Sequence, residues 1–477
     1  MIPLRHLQDK TVALFGLGKS GRAAALALKA GGAKVWAWDD SAAMREAAAA
    51  QDIPLVDLYS CDWAQPESLV LSPGIPHDKP QPHPVAALAR QAGCAIVGDI
   101  ELLARAGLAA RFLSITGTNG KSTTTALVGH ILTESGRKVQ VGGNIGTPVL
   151  ALESLDADGF YVLEISSYQL ETTFSLHSEA AVLLNITPDH LERHGGMAGY
   201  VAAKRRIFES TPPPKTLVIG TDDPICQEIF AALKAAGRPV VGISGQQKVS
   251  GGVYVLDGQL IDDSAGERRP VLHLSGLARL PGHHNWQNAA AAYAACRAAG
   301  LPPEAIASGL ASFPGLPHRQ ELLTVIDGIA YVNDSKATNP DAAAKALACY
   351  KRIFWIAGGR AKDKDFGALL PHLPHVVRGF LFGEAEGLLA EVLAGKVEIC
   401  PCGDLAGAVR QARDDAKAAV AERPQPTPVV LLSPACASFD SYPNFEVRGD
   451  AFRELVAALP GRHGGPDAPS DLLEGVS

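Results

Sequence analysis

Two short stretches of this sequence carry the residue types that hold phosphate. The first, "ALFGLGKSGRAA", places Gly16, Gly18 and Gly21 between an apolar run and a helix-forming run. The second, "LSITGTNGKSTTTA", does the same with Gly117 and Gly120, followed by Lys121, Ser122 and Thr123. A strand–glycine turn–helix junction aims unpaired backbone N–H groups and the positive end of a helix dipole at one point, which suits an anion. The first loop follows the Gly-x-Gly-x-x-Gly spacing, and Asp39–Asp40 closes the next strand candidate about 20 residues on, the dinucleotide pattern. One residue between Gly16 and Gly18 makes a turn too tight for a triphosphate, so a pyrophosphate-containing ligand is the reading; a bare glycine turn without ligand is the alternative.

The second loop resembles a P-loop, with Ile115 where the first glycine would stand and Gly117 three residues before Gly120. Gly117, Thr118, Asn119, Gly120, Lys121, Ser122 and Thr123 can still present successive N–H groups to ATP. Lys121 can reach the β/γ oxygens, and the Ser122 hydroxyl can ligate Mg²⁺. Two further apolar strands end in chemistry. "FYVLEISSYQLE" finishes on Glu164, a carboxylate that is costly there unless paired or bound to metal. "AVLLNITPDHLERH" leads to Asp189 and His190. Strand ends of parallel sheets open into the ligand crevice, so Glu164 is a candidate Mg²⁺ ligand and His190 either a ligand or a structural histidine. Composition gives Lys204, in "YVAAKRRIF", no special role.

The elements that must position these groups read as α/β. Runs such as "TVALF", "KVWAW", "SLVLS", "AIVGD", "RFLSIT", "TLVIG", "PVVGIS", "RIFWIAGG", "GFLFG" and "PVVLLSP" alternate with Ala/Leu-rich helical stretches, which implies parallel sheets covered by helices. The stretch from "GQQKVSGG" to "VLHLSG" reads as a small antiparallel excursion. The 477 residues suggest roughly three domains at about 150 each. We expect a Rossmann-like domain over 1–98, a P-loop-type ATPase domain over 99–315, a Rossmann-like domain over 316–460, and a disordered polar tail over 461–477. A net charge of −7 argues against a nucleic-acid binder working by counterion release. No apolar run approaches the roughly 18 residues of a membrane span, and "MIPLRHLQDK" has no apolar signal region. Eight scattered cysteines fit a reducing cytoplasm; Cys400 and Cys402 form no zinc site without a second cluster.

In order, "GTNGKSTTT", "GGNIGTP", "EISSYQLE", "NITPDHLERH", "YVAAKRRIF", "GHHNWQNAAAA", "PHRQE", "NDSKATNP" and "SPACASFDSYPNFEVRG" resemble the Mur ligases of peptidoglycan synthesis, over about Thr11 to Leu459. The resemblance implies an ATP-dependent amide ligase. Lys121 would hold phosphates, and Ser122 with Glu164 one Mg²⁺. His190 would hold a second ion with Lys204, carbamylated in that family and so an oxygen donor of the kind Mg²⁺ prefers. Asn288, Arg319 (with His318 beside it) and Asp334 would contact ATP, and Lys336 would act in catalysis with Lys121, His190 and Lys204. "NDSKATNP" and "SPACASFD" point to the family member whose amino acid is D-glutamate, met by Thr338, Lys362 (or Lys364), Ser438 and Phe445. Its acceptor is UDP-N-acetylmuramoyl-L-alanine, met by Asn144 and, through its UDP part, by Ser20, Asp39, Ser72 and Gly74. The chain is expected to be a cytoplasmic monomer. The rivals are an NAD(P)-dependent oxidoreductase, which leaves the second loop unexplained, a non-catalytic nucleotide binder, and a sister Mur or folate polyglutamate ligase, which the third-domain motifs disfavour.

Overall fold

A computed structural model describes residues 1–464 and 472, apart from 278, 362–364 and 424. Three sheets carry the chain. The first holds β1 (Thr11–Phe15), β2 (Lys34–Trp38), β3 (Ser68–Leu71) and β4 (Ala95–Val97) in the order β2-β1-β3-β4. All its pairings are parallel. The second comprises β5 (Arg111–Thr116), β6 (Val139–Gly143), β7 (Phe160–Glu164), β8 (Ala180–Leu183), β9 (Thr216–Gly220), β10 (Val240–Ser244), β11 (Val253–Leu256), β12 (Gln259–Asp262) and β13 (Arg269–His273). Its order is β13-β12-β11-β10-β9-β8-β5-β7-β6. From β6 to β11 every neighbour is parallel. β5, β7 and β8 are buried along almost their whole length. This is why they read as unbroken apolar runs rather than alternating ones.

The third sheet holds β14 (Glu321–Ile326), β15 (Ile329–Asn333), β16 (Ile353–Gly358), β17 (Val376–Phe382), β18 (Glu398–Gly403) and β19 (Val429–Ala435), in the order β14-β15-β19-β16-β17-β18. It is parallel except for the β14–β15 hairpin. Asp327 and Gly328 close that hairpin with φ of +51° and +81°, the double left-handed turn that matches strand twist. The mainly parallel α/β class expected from strand–helix alternation is what the structure has.

By compactness the chain forms two units. One contains Met1–Leu256, Leu260–Val271 and Gln287–Ser312; the other contains Asp257–Gln259, Leu272–Trp286 and Phe313 onward. The expected boundary near 98 falls inside the first unit, and that near 315 lies close to the Ser312/Phe313 division. The expected disordered tail differs over its described part. His463 bridges Ile326 in antiparallel fashion, and the Gly464 N–H donates to Val325 O. Leu472 is buried in the core that contains Trp355 and Leu431. Backbone pairing along the free edge of β14 gives this polar segment partners that its composition does not announce.

The first glycine loop is set by close packing. A Cβ on Gly21 would lie 1.8 Å from Gly16 O, so only glycine lets the helix Lys19–Ala30 come down onto the strand end. Gly21→Ala should therefore destabilise the fold by about 1–3 kcal/mol or more, read as a lowered midpoint in urea unfolding; an unchanged midpoint would refute the packing argument.

Candidate active site

β5 delivers Thr116 to the second glycine loop. Gly117 (φ +159°) and Gly120 (φ +82°) turn the chain into the helix Lys121–Glu134. A Cβ on Gly120 would sit 2.3 Å from Asn288 Oδ1, which also accepts from the Thr124 hydroxyl at 3.2 Å. Asn185 clamps the loop from the other side. Its Oδ1 accepts from Asn119 N at 2.9 Å, and its Nδ2 donates to Asn119 O at 3.2 Å. The Thr118 N–H donates to Asn185 O, while the Thr118 hydroxyl lies 3.0 Å from Tyr200 OH.

Two ammonium groups converge inside this loop. Lys121 Nζ donates to Gly117 O at 2.8 Å and to Thr118 O at 2.9 Å. Lys204 Nζ donates to the same Gly117 O at 2.9 Å. Lys204 is 1% exposed, a position an unmodified lysine almost never takes unpaired. Burial first, and the Lys121 charge second, push its ammonium down to about 7. Much of it is then the neutral amine at neutral pH.

β7 ends on Glu164, 1% exposed. Its Oε1 accepts from Asn144 Nδ2 at 2.8 Å, and its Oε2 is buried without a hydrogen-bond partner. Asn144 N in turn donates to Glu164 O at 2.8 Å. Leaving a buried carboxylate oxygen unsatisfied costs on the order of 1–3 kcal/mol, and such an oxygen is chemically suited to a cation. The fit to Mg²⁺ is a fit of mixed donors: among the described residues no group of three or more His, Cys, Asp or Glu side chains is placed to hold a metal. Ser122 is buried in the first turn after the loop. His190 holds φ +52°, with Asp189 3.5 Å from its Nε2. Burial lowers its pKa despite Asp189.

The first glycine loop is built differently. The Leu17 N–H donates to Asp39 Oδ2 at 2.6 Å, and Ser41 N to Asp39 Oδ1 at 2.9 Å. Asp39 therefore braces the loop's backbone through Oδ2 and its own following turn through Oδ1. Ser72 donates to Gly16 O at 2.8 Å; Ser20 is partly exposed and Gly74 exposed. Lys19 Nζ reaches Gly146 O at 2.7 Å, in the loop that carries Asn144.

In the second unit, Asp334 is buried, accepting from the Ser433 hydroxyl at 2.8 Å and from Gln320 N at 3.2 Å. Lys336 Nζ stands 3.8 Å from the centre of the Phe445 ring, so two expected site residues meet in a cation–π contact. Ser335 donates to Phe445 O at 2.8 Å. Arg448, fully buried, braces Ser335 through Nε–Oγ at 3.0 Å and NH2–O at 2.9 Å, and also donates to Cys436 O at 3.1 Å. Ser438 is buried and accepts at its carbonyl from Ser441 and Tyr442 N–H. Thr338 is half-buried, and the Arg319 N–H donates to Leu316 O. Lys362 and Lys364 lie outside the described residues.

Comparison with known proteins decides the family. Residues 115–296 match the Mur ligase middle domain, and residues 318–436 match the Mur ligase, glutamate ligase domain. The chain is 52% identical over 465 residues to a UDP-N-acetylmuramoylalanine–D-glutamate ligase of Rhodospirillum rubrum, covering 96% of this chain and 97% of that one. It is 50% identical over 466 residues to a ligase of the same description from Phenylobacterium zucineum, covering 96% and 98%. The chain belongs to the Mur ligase family. Its fold also resembles the crystal structure of UDP-N-acetylmuramate-alanine ligase MurC from Thermotoga maritima, with TM-score 0.53 at 17% identity over 94% of this chain and 99% of that one.

Sequence reasoning about this Mur ligase passed over Asn185, Tyr200 and Arg448. Asn185 follows β8 as Glu164 ends β7, and a polar residue just after a buried strand was the available signal. Tyr200 and Arg448 act through partners far away in sequence, and nothing local marks them.

Asp334 gives a test of the second unit. Burial raises its carboxyl to about 7, against the Ser433 and Gln320 hydrogen bonds. With the folded value above the unfolded one, its contribution is fully present below the ordinary carboxylate range and is lost as pH rises through about 7. In Asp334→Asn the fall in stability between pH 4 and 7 should flatten by an amount on the order of 3 kcal/mol; a variant whose stability tracks wild type across that window would refute it.

Proposed function

We propose that this Mur ligase uses ATP to join D-glutamate to UDP-N-acetylmuramoyl-L-alanine, forming an amide in peptidoglycan precursor synthesis in the cytoplasm. The observation that carries the substrate pair is the identity of about half, over nearly the full length, to ligases so described. The geometry of the second glycine loop supports the ATP half. Among the described residues no helix is long and apolar enough to cross a membrane, in keeping with soluble small-molecule substrates. Nothing in the reaction asks for more than a monomer.

Amide formation from a carboxylate and an amine is uphill in water, and a carboxylate is a poor electrophile. Both obstacles fall if the L-alanyl carboxylate attacks the γ-phosphorus of ATP, breaking its bond to the β–γ bridging oxygen and releasing ADP, to give an acyl phosphate. The D-glutamate amine then attacks that carbon, and phosphate leaves through a tetrahedral intermediate. Such phosphoryl transfer depends chiefly on positioning and charge neutralisation. The N–H groups of Gly117 to Thr123 and the ammonium of Lys121 fit the ATP phosphates. Asn288, already against Gly120, fits the nucleotide's flank. When bound, Mg²⁺ would neutralise phosphate oxygens; Ser122 and the orphan Glu164 Oε2 are the donors for one ion, and His190 with Lys204 for a second. The depressed pKa of Lys204 favours its carbamylation, because CO₂ adds to the neutral amine. Asn144 holds Glu164 in place and would meet the substrate at the reacting carboxylate.

The UDP part is assigned to Ser20, Ser72 and Gly74, with Asp39 acting through the loop it braces. In the second unit, Thr338, Ser438, Phe445 and one of Lys362 or Lys364 are assigned to D-glutamate, and Arg319, Asp334 and Lys336 to the nucleotide and its transferring phosphate. An oxidoreductase reading leaves the second loop unexplained and has no support from relatives about half identical over nearly the full length that are described as ligases.

Phosphate release with ATP, Mg²⁺, bicarbonate and UDP-N-acetylmuramoyl-L-alanine, across a panel of D- and L-amino acids, tests the reading. Release confined to D-glutamate is expected. Release with another amino acid would keep the chemistry and overturn the substrate. No release from folded protein would overturn both.

A further inference from the structure

A cluster around Glu171 lies outside every role assigned above. Glu171 ends the short helix Ser167–Glu171, which starts three residues after Glu164. Its carboxylate lies at ion-pair distance, 2.9 Å from His194 Nδ1, 2.9 Å from Arg193 NH2 and 3.2 Å from His77 Nε2, as close charge contacts without hydrogen-bond alignment. Against the upward push of burial, the His194 and His77 contacts, with Arg193, hold its carboxyl down at about 2. His194 passes the connection on, its Nε2 lying 3.0 Å from Ser167 Oγ. The Tyr168 ring touches both His194 (5.4 Å between centroids) and His190 (5.1 Å), and Arg193 lies 5.2 Å from its centre.

The helix bearing Glu171 is itself firmly seated. Ser166 and Gln169 form a reciprocal capping box at its start. Gln169 Nε2 reaches both oxygens of the buried Asp99 at 3.2 and 3.3 Å, and Arg206 Nε donates to Leu170 O at 2.7 Å. Facing it is the four-residue turn Leu191–His194, entered through His190 at φ +52° and left through Gly195 at φ +69°. A histidine in the left-handed region is strained, and such strain persists only where the surroundings over-determine it. Arg193 and His194, three and four residues beyond His190, are the two points at which that turn is gripped.

We propose that Glu171 is the positioning residue that fixes His190: by gripping Arg193 and His194 it anchors the turn and holds the His190 ring in the one conformation that presents it as a ligand. The inference rests on the reading of His190 as a metal ligand given above. Through His77, the same carboxylate also ties down the loop that carries Ser72 and Gly74, so the acceptor-substrate loop and the metal-ligand loop share one anchor.

The test is a double-mutant cycle read without turnover. Mn²⁺ binding in the presence of a non-hydrolysable ATP analogue is measured for wild type, Glu171→Gln, His190→Ala and the double variant. Glu171→Gln should weaken Mn²⁺ binding about tenfold or more, the usual scale for a residue that orients a ligand. It should lower kcat while leaving KM for ATP within about threefold. The double variant should bind no more weakly than His190→Ala alone, because Glu171 acts through His190. Unchanged Mn²⁺ binding in folded Glu171→Gln, or losses that simply add, overturns the proposal. If Glu171→Gln fails to fold, His194→Phe, which keeps the ring stack and removes the grip, runs the same cycle. Wild type that does not bind Mn²⁺ with the analogue defeats the metal reading itself, and the proposal with it; wild type that binds, with an additive cycle, defeats only the role of Glu171.

Discussion

The carbonyl oxygen of Gly117 accepts from two ammonium groups, Lys121 at 2.8 Å and Lys204 at 2.9 Å. Two like charges drawn to one neutral acceptor repel each other, and the low dielectric of the interior strengthens that repulsion. Burial lowers the Lys204 pKa most, and this repulsion from Lys121 adds to it. The repulsion is relieved by an anion arriving between the charges, or by Lys204 ceasing to be a cation. A bound triphosphate would supply the first remedy and the proposed carbamylation the second.

The rest of the first unit follows from holding that carbonyl still. Asn185 from the end of β8 and Asn288 from a distant helix clamp the loop on two sides. Glu164 at the end of the adjacent β7 is fixed by Asn144 from the turn after β6. Three neighbouring parallel strands therefore deliver their polar groups at one edge, as strand ends in such sheets do. The other glycine loop shows the contrast. There the Leu17 N–H is already taken by Asp39, and Lys19 is turned away to Gly146. The tripeptide Gly-Lys-Ser occurs in both loops, and only in the second does the lysine fold back onto the loop itself.

Much of this was legible in the sequence, for physical reasons that also mark its limits. Strands buried on both faces announce themselves as apolar runs, so β1, β5, β7 and β19 were readable to within a residue or two. β18, "EICPCG", was not: it lies at an edge, tolerates Pro401, and is half-exposed along its length. β6 is likewise an edge strand and ends in two glycines. The β14–β15 hairpin carried a signal, Asp327-Gly328 between apolar runs, that a search for strand–helix alternation steps over. In the site, Lys121 stands out because it follows two glycines at a helix start, and Glu164 because a charged group at an apolar strand end is chemically conspicuous. Asn185, Glu171 and Arg448 do not, since each earns its role from partners that only the folded chain brings near, as Arg448 with Ser335 across 113 positions.

Strand order also dictates when each sheet can exist during synthesis. The first sheet is complete once β4 has left the ribosome at Val97. β5 is made next, yet its two neighbours are β7 and β8, so the phosphate loop lacks its second wall until Leu183, and its first clamp until Asn185, has emerged. The third sheet waits longer still. β19 lies between β15 and β16, which leaves five earlier strands and their apolar faces without a centre until the chain reaches Ala435. At synthesis rates of about 5–20 residues per second, the apolar faces of those strands stay uncovered for seconds, the interval in which incomplete sheets are open to misassembly.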